Sequence, residues 1–365
     1  MRTGRTDGEL LTYRPALYGP GFAPLEERPP VDRVWEVVDL VPSQLDELVE
    51  TRCVGPLEGA GPIVRDALLR STPLEAFGVW VHYPWSGVLV RVLPPDLFRE
   101  LRLDRNRDKI TASEQASLLG RTAGIVGLSI GSAIALTLAQ EGVVGSLVLA
   151  DFDTLSTSNM NRVRAPIHAA GLPKTVVTAR QLAEIDPFVD VRCVHEGLQP
   201  EGLDAFFEGL DLVVDACDGL GMKIRLREAA RARGIPVIME TSDRGMLDVE
   251  RFDLEPDRPL LHGIFDVPAD RVDRMGADER LALVAESVGY EVSTRAAASL
   301  IELGSTVKTW PQLASDVAAG GASVTRVVRR LMLGQEVPSG RRFLAPEDIP
   351  PALPPVSPRP ARPTG

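Results

Sequence analysis

Short apolar runs alternate with segments of helical periodicity through the middle of the chain, from about residue 122 to residue 239. The apolar runs are residues 123–126, 146–150, 189–194, 210–215 and 236–239. The helical segments between them are residues 132–141, 174–185, 203–208 and 221–233. Apolar strands that alternate with helices are typical of a parallel sheet covered on both faces. The pattern therefore predicts a doubly wound, mostly parallel α/β domain.

The segment before this domain follows a different pattern. Residues 43–51 have helical spacing, and residues 78–85 and 87–93 are predicted to form two strands around a Pro-Trp-Ser-Gly turn. These elements predict a small N-terminal α/β module over residues 1–104, followed by the alternating domain at 105–265.

After the last apolar run, a further strand is expected at residues 247–254, and the chain then becomes helical in character. Helical periodicity recurs in residues 278–288, 294–303 and 310–331. A helical C-terminal region is therefore predicted over 266–348. Residues 349–365 are rich in proline and are expected to be disordered.

Composition narrows the choice of function class. The chain has 365 residues and a net charge of −11, so binding to nucleic acid or to an anionic membrane is not expected. Its three cysteines are too few for a four-cysteine zinc site within one chain, and no two of them form a CxxC pair. We find no signal-peptide pattern and no run of 18 apolar residues, and therefore expect a cytoplasmic protein.

The first apolar run ends in a loop that contains Gly127, Ser129, Gly131 and Ser132, and a helical segment follows. Glycine allows a tight turn and close approach to a phosphate, and the helix end adds free N–H groups. The spacing is not GxGxxG, so a plain strand-to-helix turn fits equally well. Asp151, 24 positions after Gly127, ends the second run and suits a ribose hydroxyl pair. Together these residues favour a nucleotide without saying which one.

A more specific polar set follows the second run. It consists of Asp153, Asn159, Arg162 and Lys174. Cations neutralise the charge of a triphosphate and an amide can orient one of its oxygens, whereas a dehydrogenase has no need of them here. The alternative is a polar loop with a surface lysine.

The fourth apolar run ends at Asp215, and Asp218 follows three residues later. Carboxylates at the C-terminal ends of parallel strands lie where ligands bind in open α/β sheets. Mg²⁺ prefers one or two carboxylates together with phosphate oxygens. Asp218 is therefore a candidate Mg²⁺ ligand, although it could also cap the next helix.

The order of these motifs resembles the ThiF-type, or E1-like, adenylyltransferase superfamily, which includes the thiamine and molybdopterin adenylyltransferases and has a Rossmann-like fold. The resemblance covers about residues 102–254. It implies that Asp151 binds the ribose and that Asp218 coordinates Mg²⁺. It also implies that Arg105 is lent to the ATP of a partner subunit, so that the protein is a homodimer.

The resemblance thus assigns two overlapping sets of residues. The candidate catalytic residues are Arg105, Arg162, Lys174 and Asp218. The candidate ATP-binding residues are Gly127, Ser129, Gly131, Ser132, Asp151, Asp153, Asn159, Arg162 and Lys174. The implied reaction is attack of a carboxylate on the ATP α-phosphate, which gives an acyl-adenylate and pyrophosphate. The carboxylate could belong to a peptide, a carrier protein or a small acid.

The sequence departs from the family pattern at several points. Ser129 and Ile130 stand where more glycine is usual, and Gly219 replaces the usual Asn. The zinc-binding CxxC pairs and the downstream thioester cysteine of the family are absent, and Cys193 and Cys217 are predicted to be buried, inert thiols. We therefore expect ATP and Mg²⁺ as cofactors, no zinc and no enzyme thioester.

Two other functions remain open from the sequence. The glycine loop and Asp151 would also permit an NAD(P)-dependent oxidoreductase, although no hydride-transfer site is visible. The thinned glycine loop would permit a non-catalytic, ATP-binding scaffold. Glu240 and Asp243, after the fifth run, could shape an acceptor pocket or belong to a plain loop.

Overall fold

The computed structural model describes residues 11–343, apart from 31, 33, 54–59, 265–266, 277–278, 280–281, 284–292, 294, 296–297, 300–301 and 303–304. The predicted helices at 278–288 and 294–303 fall largely on residues outside this described part, and the predicted disorder of 349–365 lies wholly outside it.

The N-terminal module is a small sheet packed on helices. Its strands are β1 (Ala16–Tyr18), β2 (Glu36–Asp39), β3 (Val79–Tyr83) and β4 (Val88–Val92), in the order β1-β3-β4-β2. Its helices are α1 (Val41–Arg52), α2 (Ala60–Leu69) and α3 (Pro95–Arg102). Leu45, Leu48 and Leu93 form the centre of their shared core, because the helical spacing in α1 places both of its leucines on one face. The helix and both strands predicted from the sequence are confirmed.

The larger sheet carries the five predicted apolar runs as parallel strands. These are β5 (Thr122–Val126), β6 (Ser146–Ala150), β7 (Asp190–Val194), β8 (Leu212–Asp215) and β9 (Val237–Thr241). Two antiparallel strands extend one side, β10 (Met246–Glu250) and β11 (Gly340–Phe343). Within the described residues the order is β11-β10-β9-β8-β5-β6-β7, so the doubly wound prediction is confirmed. Strand β11 was not predicted.

Helices cover both faces of this sheet. They are α4 (Ala112–Leu118), α5 (Gly131–Glu141), α6 (Lys174–Ile185), α7 (Leu203–Phe207), α8 (Leu220–Ala232), α9 (Ala269–Arg274) and α10 (Ala314–Met332). Helices α5, α6 and α10 share one core with Ile125, whereas α7 and α8 share the opposite core with Val126. Successive residues of β5 thus serve opposite cores, as strand geometry requires.

The two sheets are joined by buried polar contacts as well as by apolar packing. Arg99 and Arg102 of α3 both bind Asp186, just after α6, at 3.0 and 3.2 Å. The hydroxyl of Tyr83 donates to the carbonyl of Ala183 at 3.2 Å. The N-terminal module therefore packs against the C-terminal end of α6. The first residue of that helix is Lys174, a candidate ATP-binding residue.

A fully buried arginine links the centre of the sheet to its antiparallel side. Arg227 of α8 donates to Asp215 at the end of β8 at 2.6 Å and also to Glu250 of β10. Lys223, one helical turn earlier, binds the other oxygen of Asp215 at 2.9 Å. Burial alone would raise the pKa of Asp215, but these two cations outweigh it and hold the pKa well below its usual range.

Helix α10 lies across the sheet with a buried carboxyl beneath it. The side chain of Glu240, in β9, is 3% exposed, and neither of its oxygens has a hydrogen-bond partner within the described residues. A Cβ at Gly320 of α10 would lie 2.4 Å from the Glu240 carboxyl carbon, so glycine is needed at this crossing. Burial, with a smaller contribution from the charge of Asp316, raises the pKa of Glu240 to about 8.

No helix in the described residues is long and apolar enough to cross a bilayer.

Glu240 is expected to make the protein less stable as the pH rises from about 5 to about 8. The unfolded carboxyl loses its proton near its ordinary pKa of 4.5, whereas the folded one keeps it to about pH 8. The folded state therefore binds more protons in this window, and each pH unit removes up to about 1.4 kcal/mol of unfolding free energy. Urea unfolding across this range should show the loss in the wild type and a flatter profile in Glu240→Gln.

The control for this measurement is Glu47→Gln, which alters an exposed carboxyl on α1. It should keep the wild-type pH dependence. Equal slopes in the wild type and in Glu240→Gln would show that Glu240 does not hold the proton.

Candidate functional site

The loop after β5 turns under tight steric limits. Gly127 has a φ of +88°, and a Cβ there would lie 2.3 Å from the carbonyl oxygen of Ala216, next to the end of β8. A Cβ at Gly131, the first residue of α5, would lie 2.7 Å from Cγ2 of Ile125. Glycine alone tolerates both approaches. The chain therefore passes directly from the strand into the amino end of α5, where free N–H groups suit an anion.

Asp151 fixes the position of the glycine loop. Its two carboxylate oxygens accept hydrogen bonds from the backbone N–H of Leu128, at 2.6 Å, and of Asp153, at 2.7 Å. The residue is 8% exposed, and burial raises its pKa against the opposing charge of Lys174. The residue predicted to bind ribose thus also holds the ends of β5 and β6 in register.

Lys174 is the first residue of α6, and its ammonium group faces the carboxylates of Asp151 and Asp153. Its Nζ lies 2.6 Å from Asp153 and 3.8 Å from Asp151, and the side chain is 6% exposed. A buried lysine needs such partners because an unpaired charge would be costly to desolvate. The predicted residues Asp151, Asp153 and Lys174 therefore form one cluster.

Arg162 also contacts the glycine loop. Its Nε donates to the hydroxyl of Ser129 at 2.9 Å, and its Nη1 donates to Oδ1 of Asn161 at 2.8 Å. Burial lowers the pKa of Arg162, and the nearby charge of Asp218 opposes that effect. The structure thus brings the predicted residues Ser129, Arg162 and Asp218 to the same edge of the sheet.

Asn159 uses part of its side chain to shape its own loop. Its Oδ1 accepts hydrogen bonds from the backbone N–H and the hydroxyl of Ser156, at 3.1 and 3.0 Å, which caps the short turn at Thr157–Asn159. Its Nδ2 makes no hydrogen bond to the described residues. Both N–H donors of Nδ2 are therefore left for a ligand.

The two carboxylates after β8 have different environments. Asp215 is fully buried and is occupied by Lys223 and Arg227, so it is closed to ligands. Asp218 is exposed, and its side chain makes no hydrogen bond in the described part of the chain. Of these two carboxylates, only that of Asp218 is therefore accessible to a ligand.

Cysteine chemistry is disfavoured at this edge. Cys217 lies between the two aspartates, and its Sγ is 3.2 Å from Oδ1 of Asp215. Burial, with the charge of Asp215 as the next cause, raises the pKa of Cys217 far above its usual range. Burial also raises the pKa of Cys193 to about 12. Neither thiol supplies an accessible thiolate near neutral pH.

Arg105 lies away from the other predicted residues. It is exposed on the turn Asp104–Asn106, and the adjacent Asn106 donates to the carbonyl of Glu141, the last residue of α5. Helix α5 begins at the glycine loop and has 11 residues, so its ends are roughly 16 Å apart. Within one chain, Arg105 therefore sits at the far end of α5 from the site.

The structure also reveals contacts that the sequence did not suggest. Gln312 precedes α10, and its Oε1 accepts a hydrogen bond from the Ser129 hydroxyl at 3.2 Å. Its carbonyl oxygen accepts one from Nδ2 of Asn161 at 2.8 Å. No local motif signals such a residue, because the contacts span 183 and 151 positions of sequence.

A small cavity lies between the loop of Arg162 and the first turn of α10. It has a volume of about 130 Å³, and its lining includes Ala133, Asn161, Arg162 and Val317. Pockets that enclose drug-sized ligands measure about 300–1,000 Å³. A larger ligand would therefore lie along the open loops and reach this cavity with one group at most.

The chain is similar to a known protein family and to several known proteins. The model of the ThiF family matches residues 103–314. The chain is 48% identical over 270 residues to the uncharacterized protein MT1398 of Mycobacterium tuberculosis, covering 73% of this chain and 38% of that protein. It is 31% identical over 156 residues to the tRNA threonylcarbamoyladenosine dehydratase of Bacillus subtilis, covering 42% and 61%.

A third relative has a name of a different kind. The chain is 31% identical over 170 residues to the molybdopterin-synthase adenylyltransferase of Haemophilus influenzae, covering 45% of this chain and 70% of that protein. The chain spans 38% and 61% of the lengths of the first two relatives, so these matches concern only part of each of those proteins.

Gly127→Ala should lower the unfolding free energy clearly more than Gly171→Ala. Both glycines have a positive φ, +88° and +86°, so both variants suffer similar backbone strain. A Cβ at position 171 meets no atom within 4 Å, whereas one at 127 meets the Ala216 backbone. We expect an extra loss of about 1–3 kcal/mol in Gly127→Ala, measured by urea unfolding. Equal losses would mean that the β5 and β8 ends are not in close contact.

Proposed function

The chain belongs to the ThiF family, and on that basis we propose that it is an ATP-dependent adenylyltransferase that activates a carboxylate as an acyl-adenylate. The observation that supports this most strongly is the arrangement around the glycine loop. Arg162, Lys174 and the exposed Asp218 come from three separate segments and meet at one sheet edge, together with Asp151. Two cationic side chains and an exposed carboxylate suit a triphosphate with a bound Mg²⁺ ion.

Each residue has a role in the proposed reaction. Lys174 and Arg162 neutralise the triphosphate, Asp151 accepts from the ribose hydroxyls, and Nδ2 of Asn159 donates to a phosphate oxygen. An oxygen of the substrate carboxylate attacks the α-phosphorus, the bond from that phosphorus to the bridging oxygen breaks, and pyrophosphate leaves. Catalysis then comes from alignment and charge stabilisation, without a protein nucleophile. The raised thiol pKa values of Cys193 and Cys217 agree with this.

Asp218 fits the proposed Mg²⁺ ion. The described residues contain no group of three or more His, Cys, Asp or Glu side chains that could hold a metal by themselves. Mg²⁺ at nucleotide sites usually takes one or two carboxylates and completes its shell with phosphates and water. One open carboxylate is thus sufficient, and the ion would supply charge neutralisation on the phosphate oxygens.

The acyl substrate is proposed to be the carboxylate of a peptide, a carrier protein or a small acid. The names of two relatives mention different molecules, a modified tRNA nucleoside in one and molybdopterin synthase in the other. Binding of tRNA depends on neutralising many phosphates with lysine and arginine. The net charge of −11 opposes that and favours a protein or small-molecule partner.

Removal of Arg162 or Asp218 should separate ATP binding from catalysis. We expect Arg162→Gln to weaken Mg·ATP binding about 10- to 100-fold, because charge-assisted hydrogen bonds to phosphate are lost. Asp218→Asn should abolish pyrophosphate release. Calorimetric titration of Mg·ATP measures the first effect. The second is measured with peptides that carry a free C-terminal carboxylate, beside the same peptides amidated at that end.

The matched controls are Arg326→Gln on the exposed side of α10 and Asp257→Asn in an exposed turn, both of which should behave as the wild type. ATP binding without pyrophosphate release from any free carboxylate would favour a non-catalytic scaffold. Binding of NADH but not of ATP would replace the proposal with an oxidoreductase.

We also propose a homodimer in which each subunit lends Arg105 to the other's site; the exposure of Arg105, away from the site of its own chain, is compatible with that role. Arg105→Ala and Asp218→Asn should each be inactive alone. A refolded or co-expressed equal mixture should recover about one quarter of the wild-type pyrophosphate release, since half of the dimers keep one intact site. No recovery in dimers proven to be mixed would mean that Arg105 does not act across an interface.

A further inference from the structure

Gln312 contacts two loops of the candidate active site, the glycine loop and the loop that carries Asn161 and Arg162. Its side-chain oxygen meets the Ser129 hydroxyl of the glycine loop, and its main-chain oxygen meets Nδ2 of Asn161. Both of these partners in turn hold the guanidinium of Arg162. The four residues thus form a closed hydrogen-bonded ring, which we call the Arg162 ring.

The ring determines which edge of the guanidinium is available. Nε is engaged by Ser129 at 2.9 Å and Nη1 by Asn161 at 2.8 Å, whereas Nη2 makes no hydrogen bond to the described residues. Arginine presents its donors in a rigid planar fork, so fixing two nitrogens also fixes the third. One nitrogen is therefore left for a ligand in a defined orientation.

The segment that contains Gln312 is anchored by the packing of α10, the helix that follows it. It leads into α10, where Val317 is buried in the main core and Gly321 lies close to the backbone of Ala133 in α5. Arg329, further along α10, forms an ion pair with Glu141 at the end of α5. Because α5 starts in the glycine loop, Gln312 and Ser129 are anchored on two helices that pack together.

We propose that Gln312 is a positioning residue of the candidate active site, which through Ser129 and Asn161 holds the Arg162 guanidinium ready for the phosphates of ATP. The inference rests on the proposed function for the identity of the ligand, whereas the ring consists of contacts between protein groups alone. Preorganised donors gain binding strength because they lose less freedom when the ligand arrives.

Two variants separate this role from simple anchoring of α10. Gln312→Leu keeps the size of the side chain and removes the acceptor for Ser129. Gln312→Glu keeps an acceptor oxygen and should preserve the ring in the nucleotide-free protein. Gln335→Leu, at an exposed glutamine after α10, is the matched control.

The first readout is hydrogen exchange of the Arg162 Nε–H, followed by NMR of the full chain labelled on arginine and assigned with Arg162→Lys. We expect exchange about 5-fold faster in Gln312→Leu and unchanged in Gln312→Glu and Gln335→Leu. The second readout is Mg·ATP affinity. Gln312→Leu should weaken it about 5-fold when Arg162 is present and not at all in the Arg162→Gln background.

Each outcome decides the matter. Faster exchange together with an effect on ATP that disappears without Arg162 supports the positioning role. Unchanged exchange in Gln312→Leu overturns it, as does an equal loss of affinity in both backgrounds, which would reveal a general structural role. A wild type that binds no ATP would overturn the proposed function alone, and the exchange rates would still decide whether Gln312 holds Arg162.

Discussion

The fully buried guanidinium of Arg227 holds together the part of the sheet that precedes Asp218, the exposed carboxylate of the candidate site. Arg227 binds Asp215 on β8 and Glu250 on β10, so it joins a central parallel strand to an antiparallel one across β9. Removing one partner of such a buried group leaves an uncompensated charge, at a cost of about 3–5 kcal/mol. The end of β8 is therefore fixed, and Asp218 begins from a defined point three residues later.

The site is assembled from two kinds of constraint. The strand ends supply positions: Asp151 ties the end of β6 to the glycine loop, and the close approach of Gly127 to Ala216 ties β5 to β8. Contacts between distant segments supply orientation, since Arg162 sits on an irregular loop and is aligned by its partners. Removing a strand contact would thus displace the whole site, whereas removing a loop contact would loosen one side chain.

The same distinction explains what the sequence could reveal. Strands β5 to β9 lie within two residues of their predicted ends, because burial on both faces requires uninterrupted apolar runs. Strand β11, with the sequence Gly-Arg-Arg-Phe, carries no such signal, since it lies at the sheet edge and is half exposed. The different fates of Asp215 and Asp218 could not be predicted either. They depend on the cations of α8, which only the folded helix brings to Asp215.

The two departures in the glycine loop now have separate physical explanations. Ile130 is 6% exposed and belongs to the main core, so at that position a side chain adds packing that glycine could not provide. Ser129 uses its hydroxyl to accept from Arg162 and to donate to Gln312, which glycine could not do. A loop with fewer glycines has less backbone freedom but gains a side-chain link to the arginine opposite. The backbone N–H groups of the loop are the same with either residue, so at the proposed ATP site the change adds an ordered guanidinium to them.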